Sequence, residues 1–300
     1  MTRNLLFMLI AVCTLFSCGG DDPVTVDPIK PEQPENPQDP ENPEIKTKRI
    51  KTLKVDRPSG LFTEDKLTYD DQGHIIKIES HIENSDWYDL PEYDAVTTFT
   101  YQDKKVIYEV TCNDYSHKQV LQLNDSGYIE KLVYNEKNEW SHSFEYWGDG
   151  CLKIKYMDTG YYYAYKYESG NLTTVAFFAD NKSSTDYIKL GTFPNKAGIS
   201  PMLFSDEFCT LSFEMPWELG VDEFALHNAF YLFYNGLYGK HSKNLETSVT
   251  DRGDTISFEY KLDEEGYPTK IICTELDNGV PILSSESEDA FIANIEYWED

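Results

Sequence analysis

The sequence predicts a mainly β protein, a long twisted antiparallel meander of hairpins with one packed helix over about 222–235. Three observations predict it. A hairpin unit recurs, first as LTYDDQGHIIKI from Leu67 to Ile78. Variants run from Leu121 (LQLNDSGYIEKL), Phe144 (FEYWGDGCLKI), Tyr165 (YKYESGNLTTV) and Tyr260 (YKLDEEGYPTKI). Tyrosine is abundant, 22 in 300 residues, and an amphipathic ring on a strand buries its body while its hydroxyl stays near water. One stretch after Asp222 departs from alternation, placing Leu226, Phe230, Phe233 and Leu237 at helical spacing.

The first 17 residues carry Arg3, then the apolar run LLFMLIAV from Leu5, then small residues before a cysteine. That is the layout of a secretory signal, and the run is too short to cross a bilayer as a mature helix. Leu15-Phe16-Ser17-Cys18 resembles a bacterial lipobox, with Phe16 bulky for its position. In such signals the cysteine thiol is diacylated and becomes the first mature residue, so Cys18 is the expected lipidation site and membrane anchor. Gly19-Gly20-Asp21-Asp22 looks like the acidic tag that sends Bacteroidetes lipoproteins to the outer face of the outer membrane.

Residues 18–44 then read as a stalk. Pro28, Pro31, Pro34, Pro37, Pro40 and Pro43 recur every third residue among Glu and Asp, which matches the three-residue turn of polyproline II. Fully extended in that form, the stalk spans roughly 80 Å.

From Ile45 proline thins out, cations appear and alternation begins in KRIKTLKVDR, the first expected strand. The hairpin around Gly73 follows. Asn84 to Tyr93, with Trp87, Tyr88 and Pro91, breaks the pattern and reads as a loop. Thr97–Tyr101 with Val106–Thr111, Val120–Leu123 with Ile129–Tyr134, Ser143–Tyr146 with Leu152–Tyr156, and Tyr162–Tyr167 with Leu172–Phe178 continue the meander. Across about 180–245 the repeat gives way to an insertion of loop and helix; Asp222 stands as its N-cap and Gly236 and Gly239 as stop signals. The hairpin Ile256–Thr274 resumes the repeat and Ile292–Trp298 ends it. Residues 45–300 thus form a single β-rich domain.

Aligned on the turn glycines Gly73, Gly127, Gly150, Gly170 and Gly266, an apolar or Pro residue falls two after glycine. A third apolar position falls five after in four copies, whereas Gly150 has Lys155 there. Glycine is expected where the turn needs φ > 0, and the neighbouring Asp or Asn can bond the local backbone. Offsets of two and five have opposite parity on a strand, so either the first lies in the turn or a bulge intervenes.

A formal charge of −27 argues against nucleic-acid phosphates and anionic lipid faces, leaving cationic ligands, divalent metal or neutral glycans. No HExxH, GxSxG, phosphate loop or dinucleotide fingerprint is present, so no catalytic residue, metal site or cofactor is expected. Cys112, Cys151, Cys209 and Cys273 lack CxxC spacing and read as buried thiols, though an exported compartment permits disulfides. The candidate ligand-contacting aromatics are Trp87, Tyr88, Trp140, Tyr161, Tyr162 and Tyr163, which could stack on sugars or simply fill a tyrosine-rich sheet.

Lipobox, proline stalk, hairpin repeat and the segment NGLYGKHSKNLETSV followed by FEYKLDEEGYPTKI together resemble the Bacteroidetes lipoproteins of the domain-of-unknown-function 4595 family, over about Lys51 to Trp298. The single repeats also look like YD repeats of Rhs-type shells, with too few copies to enclose a cargo. That family carries no established activity. The expectation is therefore a surface-exposed outer-membrane lipoprotein, more a non-catalytic binding or structural module for a glycan or protein partner than an enzyme. The alternatives are a glycan-processing enzyme with paired carboxylates and a scaffold subunit of an outer-membrane complex.

Overall fold

The computed structural model describes residues 48–299 apart from 86–89, 113–114, 134–139, 158, 180–181, 205–228, 252–253, 278 and 283–289. Strands β1 to β6 are Ile50–Asp56, Phe62–Tyr69, Ile75–Ser85, Leu90–Gln102, Lys105–Cys112 and Tyr115–Leu123. Strands β7 to β12 are Ile129–Val133, Trp140–Tyr146, Leu152–Met157, Tyr162–Glu168, Asn171–Ala179 and Lys182–Pro194. Strands β13 to β17 are Asn244–Asp251, Asp254–Leu262, Pro268–Asp277, Val280–Pro281 and Phe291–Tyr297.

Every strand from β1 to β15 pairs antiparallel with its neighbour in sequence, as a meander must. The sheet is nevertheless not open. β17 pairs with β15 on one side and with β1 on the other, so sixteen strands close into a barrel and the two-residue β16 lies beside β15 outside the ring. Closure satisfies both edges that an open meander would leave unpaired.

The glycine turns explain how the repeat fits a barrel wall. Gly73, Gly127, Gly150, Gly170 and Gly266 all have φ between 80° and 92°. In three of them an Asp or Asn three residues earlier (Asp70, Asn124, Asp263) accepts two backbone amides through one side-chain oxygen, closing the loop. Each return strand then carries one extra residue, three after glycine: Ile76, Glu130, Lys153, Thr173 and Thr269. The bulge reverses parity, so the residues two and five after glycine both face inward. Ile75 and Ile78, Ile129 and Leu132, and Leu172 and Val175 are all buried. The divergent copy obeys the same geometry and thereby drives Lys155 into the interior, 2% exposed, with Nζ 5.5 Å from the Tyr163 ring centroid.

Along the wall, buried and charged residues alternate: Leu67 beside Lys66, Ile78 beside Glu79, Ala95 beside Asp94, Tyr165 beside Lys166, Phe258 beside Glu259, Ile295 beside Glu296. The apolar member points into the barrel and the charged one to solvent.

A sixteen-stranded ring is too wide for its own side chains to fill. The described parts of the chain between β12 and β13 lie within it. A 3-10 turn at Pro201–Phe204 is wholly buried, and a short helix, α1 over 229–234, is buried up to its half-buried last residue Tyr234, with Ala229, Phe230, Tyr231 and Leu232 at most 1% exposed. Phe204 packs on Phe230 and on Phe291 of β17, and Tyr231 donates to Asp65 of β2 at 2.6 Å. The same insertion meets β8, where Tyr238 packs on Phe144, and β11, where Ser242 accepts the Leu172 amide. A buried segment that touches strands as far apart in the ring as β2 and β11 lies inside it.

Three expectations change accordingly. The helix is not laid on a sheet face but enclosed, which is why it is apolar all round rather than on one stripe; its expected start at 222–228 lies outside the described residues. The insertion begins after Pro194, since the polar run Lys182–Asp186 continues as wall strand β12, where only alternate residues such as Ile188 need burial. The expected loop at Asn84–Tyr93 shortens, because β3 runs to Ser85 and β4 starts at Leu90.

Candidate functional site

Two features stand out at the glycine-turn end of the barrel, where the chain also enters β1 and leaves β17. The first is a lacing of the insertion across the strand starts. The first residue of β1, Ile50, donates its amide to Tyr234 Oη and receives Tyr69 Oη on its carbonyl. The first residue of β3, Ile75, donates to Asn235 Oδ1 at 3.2 Å and receives Tyr101 Oη at 3.0 Å, while Asn235 Nδ2 donates to that same Tyr101 hydroxyl. The first residue of β7, Ile129, donates to the Leu237 carbonyl and receives Tyr146 Oη, both at 2.8 Å. Further along, Lys240 donates to the Gly150 carbonyl and Leu172 donates to Ser242 Oγ. The tyrosine of the hairpin repeat thus ties down the carbonyl that opens the preceding strand, and the insertion takes the amide. Tyr297 makes the equivalent bond to the Pro268 carbonyl that opens β15, and Tyr260 bonds the Glu246 carbonyl, two residues into β13.

The second feature is a cleft of about 420 Å³ between the β6–β7 and β8–β9 turns. Its aromatic lining is Tyr128, Phe144, Tyr146 and Trp147; Glu130 and Glu145 supply carboxylates, and Asn124 and Ser126 lie at its rim. The turn chemistry builds it. Asn124 Oδ1 accepts the Ser126 and Tyr128 amides and so orients Tyr128, whose ring meets Tyr146 at 5.0 Å between centroids. A Cβ at Gly150 would lie 2.8 Å from the Tyr128 hydroxyl, so glycine is needed there for the ring's position as well as for φ. The bulge at Glu130 turns that carboxylate outward into the cleft. Lys153, the bulge residue of the next hairpin, reaches the same corner: its Nζ lies 3.2 Å from Glu145 Oε2 and 5.0 Å from the Trp147 ring centroid.

Of the expected site residues, the structure describes Tyr161, Tyr162 and Tyr163 and the backbone of Trp140. Cys18, Trp87 and Tyr88 lie outside the described residues, and Trp140 is placed only by its backbone, at the start of β8. The three consecutive tyrosines divide by parity. Tyr163 faces inward against Phe177, and Tyr161 meets Phe177 edge-on. Tyr162 faces outward and stacks on Phe178, centroids 4.6 Å apart, with Tyr156 at 6.0 Å. The face of Tyr162 turned to Phe178 is covered, and the three rings form a ladder on the outer wall. Trp147, Tyr128, Glu130 and Glu145 were legible only as turn and strand residues; what brings them together is the bulge.

Among the described residues no group of three or more His, Cys, Asp or Glu is placed to hold a metal ion. Cys112, Cys151 and Cys273 are free thiols, and Cys209 lies outside the described residues. Deeper in the barrel, Glu246 is buried and accepts Ser200 Oγ at 2.6 Å; burial pushes its carboxyl up to about 7 against the lowering effect of that bond and of the Met202 amide.

No family model matches the chain, and no curated protein matches it. Among solved structures, a porin-like protein from Bacteroides uniformis superposes with a TM-score of 0.60 at 14% identity, covering 83% of this chain and 98% of that one. A second porin-like protein, from Bacteroides vulgatus, matches over the same shares at 12% identity with a TM-score of 0.37. The first of these shares the fold.

Proposed function

We propose that the protein is a lipid-anchored, internally plugged β-barrel held at the outer membrane by Cys18, acting as a non-catalytic binding or structural module rather than as a pore. The observation that carries the reading is the polarity of the wall. A barrel that spans lipid turns an apolar band outward, flanked by aromatic girdles, and keeps polar residues inside. Here the alternation is inverted: Lys66, Glu79, Asp94, Lys166, Glu259 and Glu296 face out while their apolar neighbours face in. Burying one such charge at the bilayer midplane would cost about 2–4 kcal/mol for a lysine, and charges recur around the ring. The shared barrel of the porin-like neighbour therefore supplies a wall here, not a channel. Membrane attachment falls to the lipobox cysteine and its acidic stalk, and the resemblance to Bacteroidetes lipoproteins supports the same placement.

Two measurements test this. Metabolic labelling with radioactive palmitate is expected to mark the wild type and not Cys18→Ala, which should also leave the membrane fraction. The purified domain is expected to give no conductance steps in a planar bilayer. Stable ion-conducting steps, or a Cys18→Ala protein that still sediments as an integral membrane protein, would overturn the proposal.

A further inference from the structure

We infer that the cleft beside Trp147 binds an alkylammonium group, presented either by a lysine side chain of a basic protein partner or by a free polyamine. It rests on the binding-module reading above and names the chemistry of one site on that module. Three partly exposed aromatic residues, Tyr128, Tyr146 and Trp147, and two carboxylates line the cleft beside the buried Phe144, and no cation is among its lining residues. Ring faces and carboxylates both carry negative potential, and this combination attracts ammonium ions while offering an anion nothing. The chain supplies its own demonstration. Lys153, rooted just outside the lining, extends its ammonium to 5.0 Å from the Trp147 centroid and 3.2 Å from Glu145. One ammonium position is thus already occupied from within, and Glu130 with Tyr128 forms the other half of the cleft.

The rest of the molecule favours the same ligand. A chain of formal charge −27 concentrates cations at its surface and repels anions. The walls of the cleft are also rigid: Tyr146 is tied to the Ile129 carbonyl, and Phe144 packs against Tyr238 of the enclosed insertion at 5.5 Å. A ligand would meet preformed ring faces rather than having to order them.

Calorimetric titration of the soluble domain tests the inference, with tetralysine, spermidine and an uncharged oligosaccharide as probes. Tetralysine or spermidine is expected to bind, with affinity falling as salt is raised. Tighter binding of tetralysine than of spermidine assigns the partner to a protein, and the reverse order assigns it to a free polyamine. Trp147→Ala is expected to weaken binding about tenfold and Glu130→Gln several-fold, with Trp147→Phe recovering part of the loss. Lys153→Met, which removes the internal competitor, is expected to tighten binding several-fold. Circular dichroism checks that each variant keeps its strands. Binding that is unchanged in the Trp147 and Glu130 variants, saturation by the neutral oligosaccharide alone, or weaker binding in Lys153→Met overturns the inference. Such a failure would leave the plugged-barrel reading intact, because that one is decided by conductance and lipid labelling.

Discussion

Gly127 sits at φ 82° with no atom within 4 Å of where a Cβ would lie, so it isolates the backbone requirement of the repeat from any packing term. Gly127→Ala is expected to cost about 1–2 kcal/mol, and Gly127→Asn distinctly less because asparagine tolerates this region; chemical denaturation of both variants checks the order. Buried titratable groups make a second residue-scale case, with opposite signs. The Glu246 carboxyl, raised to about 7 mainly by burial, binds its proton more tightly folded than unfolded. Stability therefore falls as pH rises from its ordinary value near 4.5 toward 7, by at most about 3 kcal/mol. His241, lowered to about 4 by burial, binds its proton less tightly folded. Stability falls, in that case, as pH drops from about 6.5 to 4. Melting curves at pH 5 and pH 8 should show Glu246→Gln gaining on the wild type at pH 8. His241→Phe should gain on it at pH 5. A constant offset across pH in either variant would contradict the assigned environment.

At the level of elements, the return strand and the insertion depend on each other. The bulge three residues after each glycine sends two residues inward per hairpin, both apolar except in the Gly150 copy with its Lys155, and the repeat tyrosine caps the strand before it. Asn235 joins both sets of bonds, accepting from Ile75 and donating to Tyr101. Asn235→Ala strands a buried amide and is expected to cost about 2–4 kcal/mol, against about 1 for Tyr101→Phe. If the two act through one network, the double variant should cost less than their sum. Gly239 is a sharper probe of the lacing. A Cβ there would meet the Gly150 carbonyl oxygen at 2.4 Å, and its φ is 91°. Gly239→Ala is accordingly expected to be more damaging than Gly127→Ala in the same denaturation assay. The hairpin spacing, the turn glycines and the bulge-or-turn alternative were all legible in the sequence, because they are local. The bonds made by Asn235 were not, since nothing in NGLYG indicates which of sixteen strands lies opposite.

The folded unit that begins at Lys46 is a wall wound around its own insertion. Replacing 196–242 with a short flexible linker should leave a ring with an unfilled lumen; loss of cooperative unfolding is the expected result, and a cooperative transition near that of the wild type would show that the wall folds alone. Composition and period established much by themselves: a β-rich, tyrosine-laden body whose first strand lies in KRIKTLKVDR, antiparallel neighbours, φ > 0 at five glycines, and an apolar helix near Phe230. Each follows from interactions within a few residues or between adjacent strands, where alternation and turn chemistry leave little choice. Whether the meander stayed open or closed depended on β17 finding β1, a pairing across nearly the whole domain that no local pattern encodes. Closure in turn decided the rest. It converted one face of the meander into a lumen and moved the helix from a sheet surface to the interior. Which strands face the insertion across the lumen is fixed only once the strand count and register of the ring are set, and those are properties of the assembled barrel.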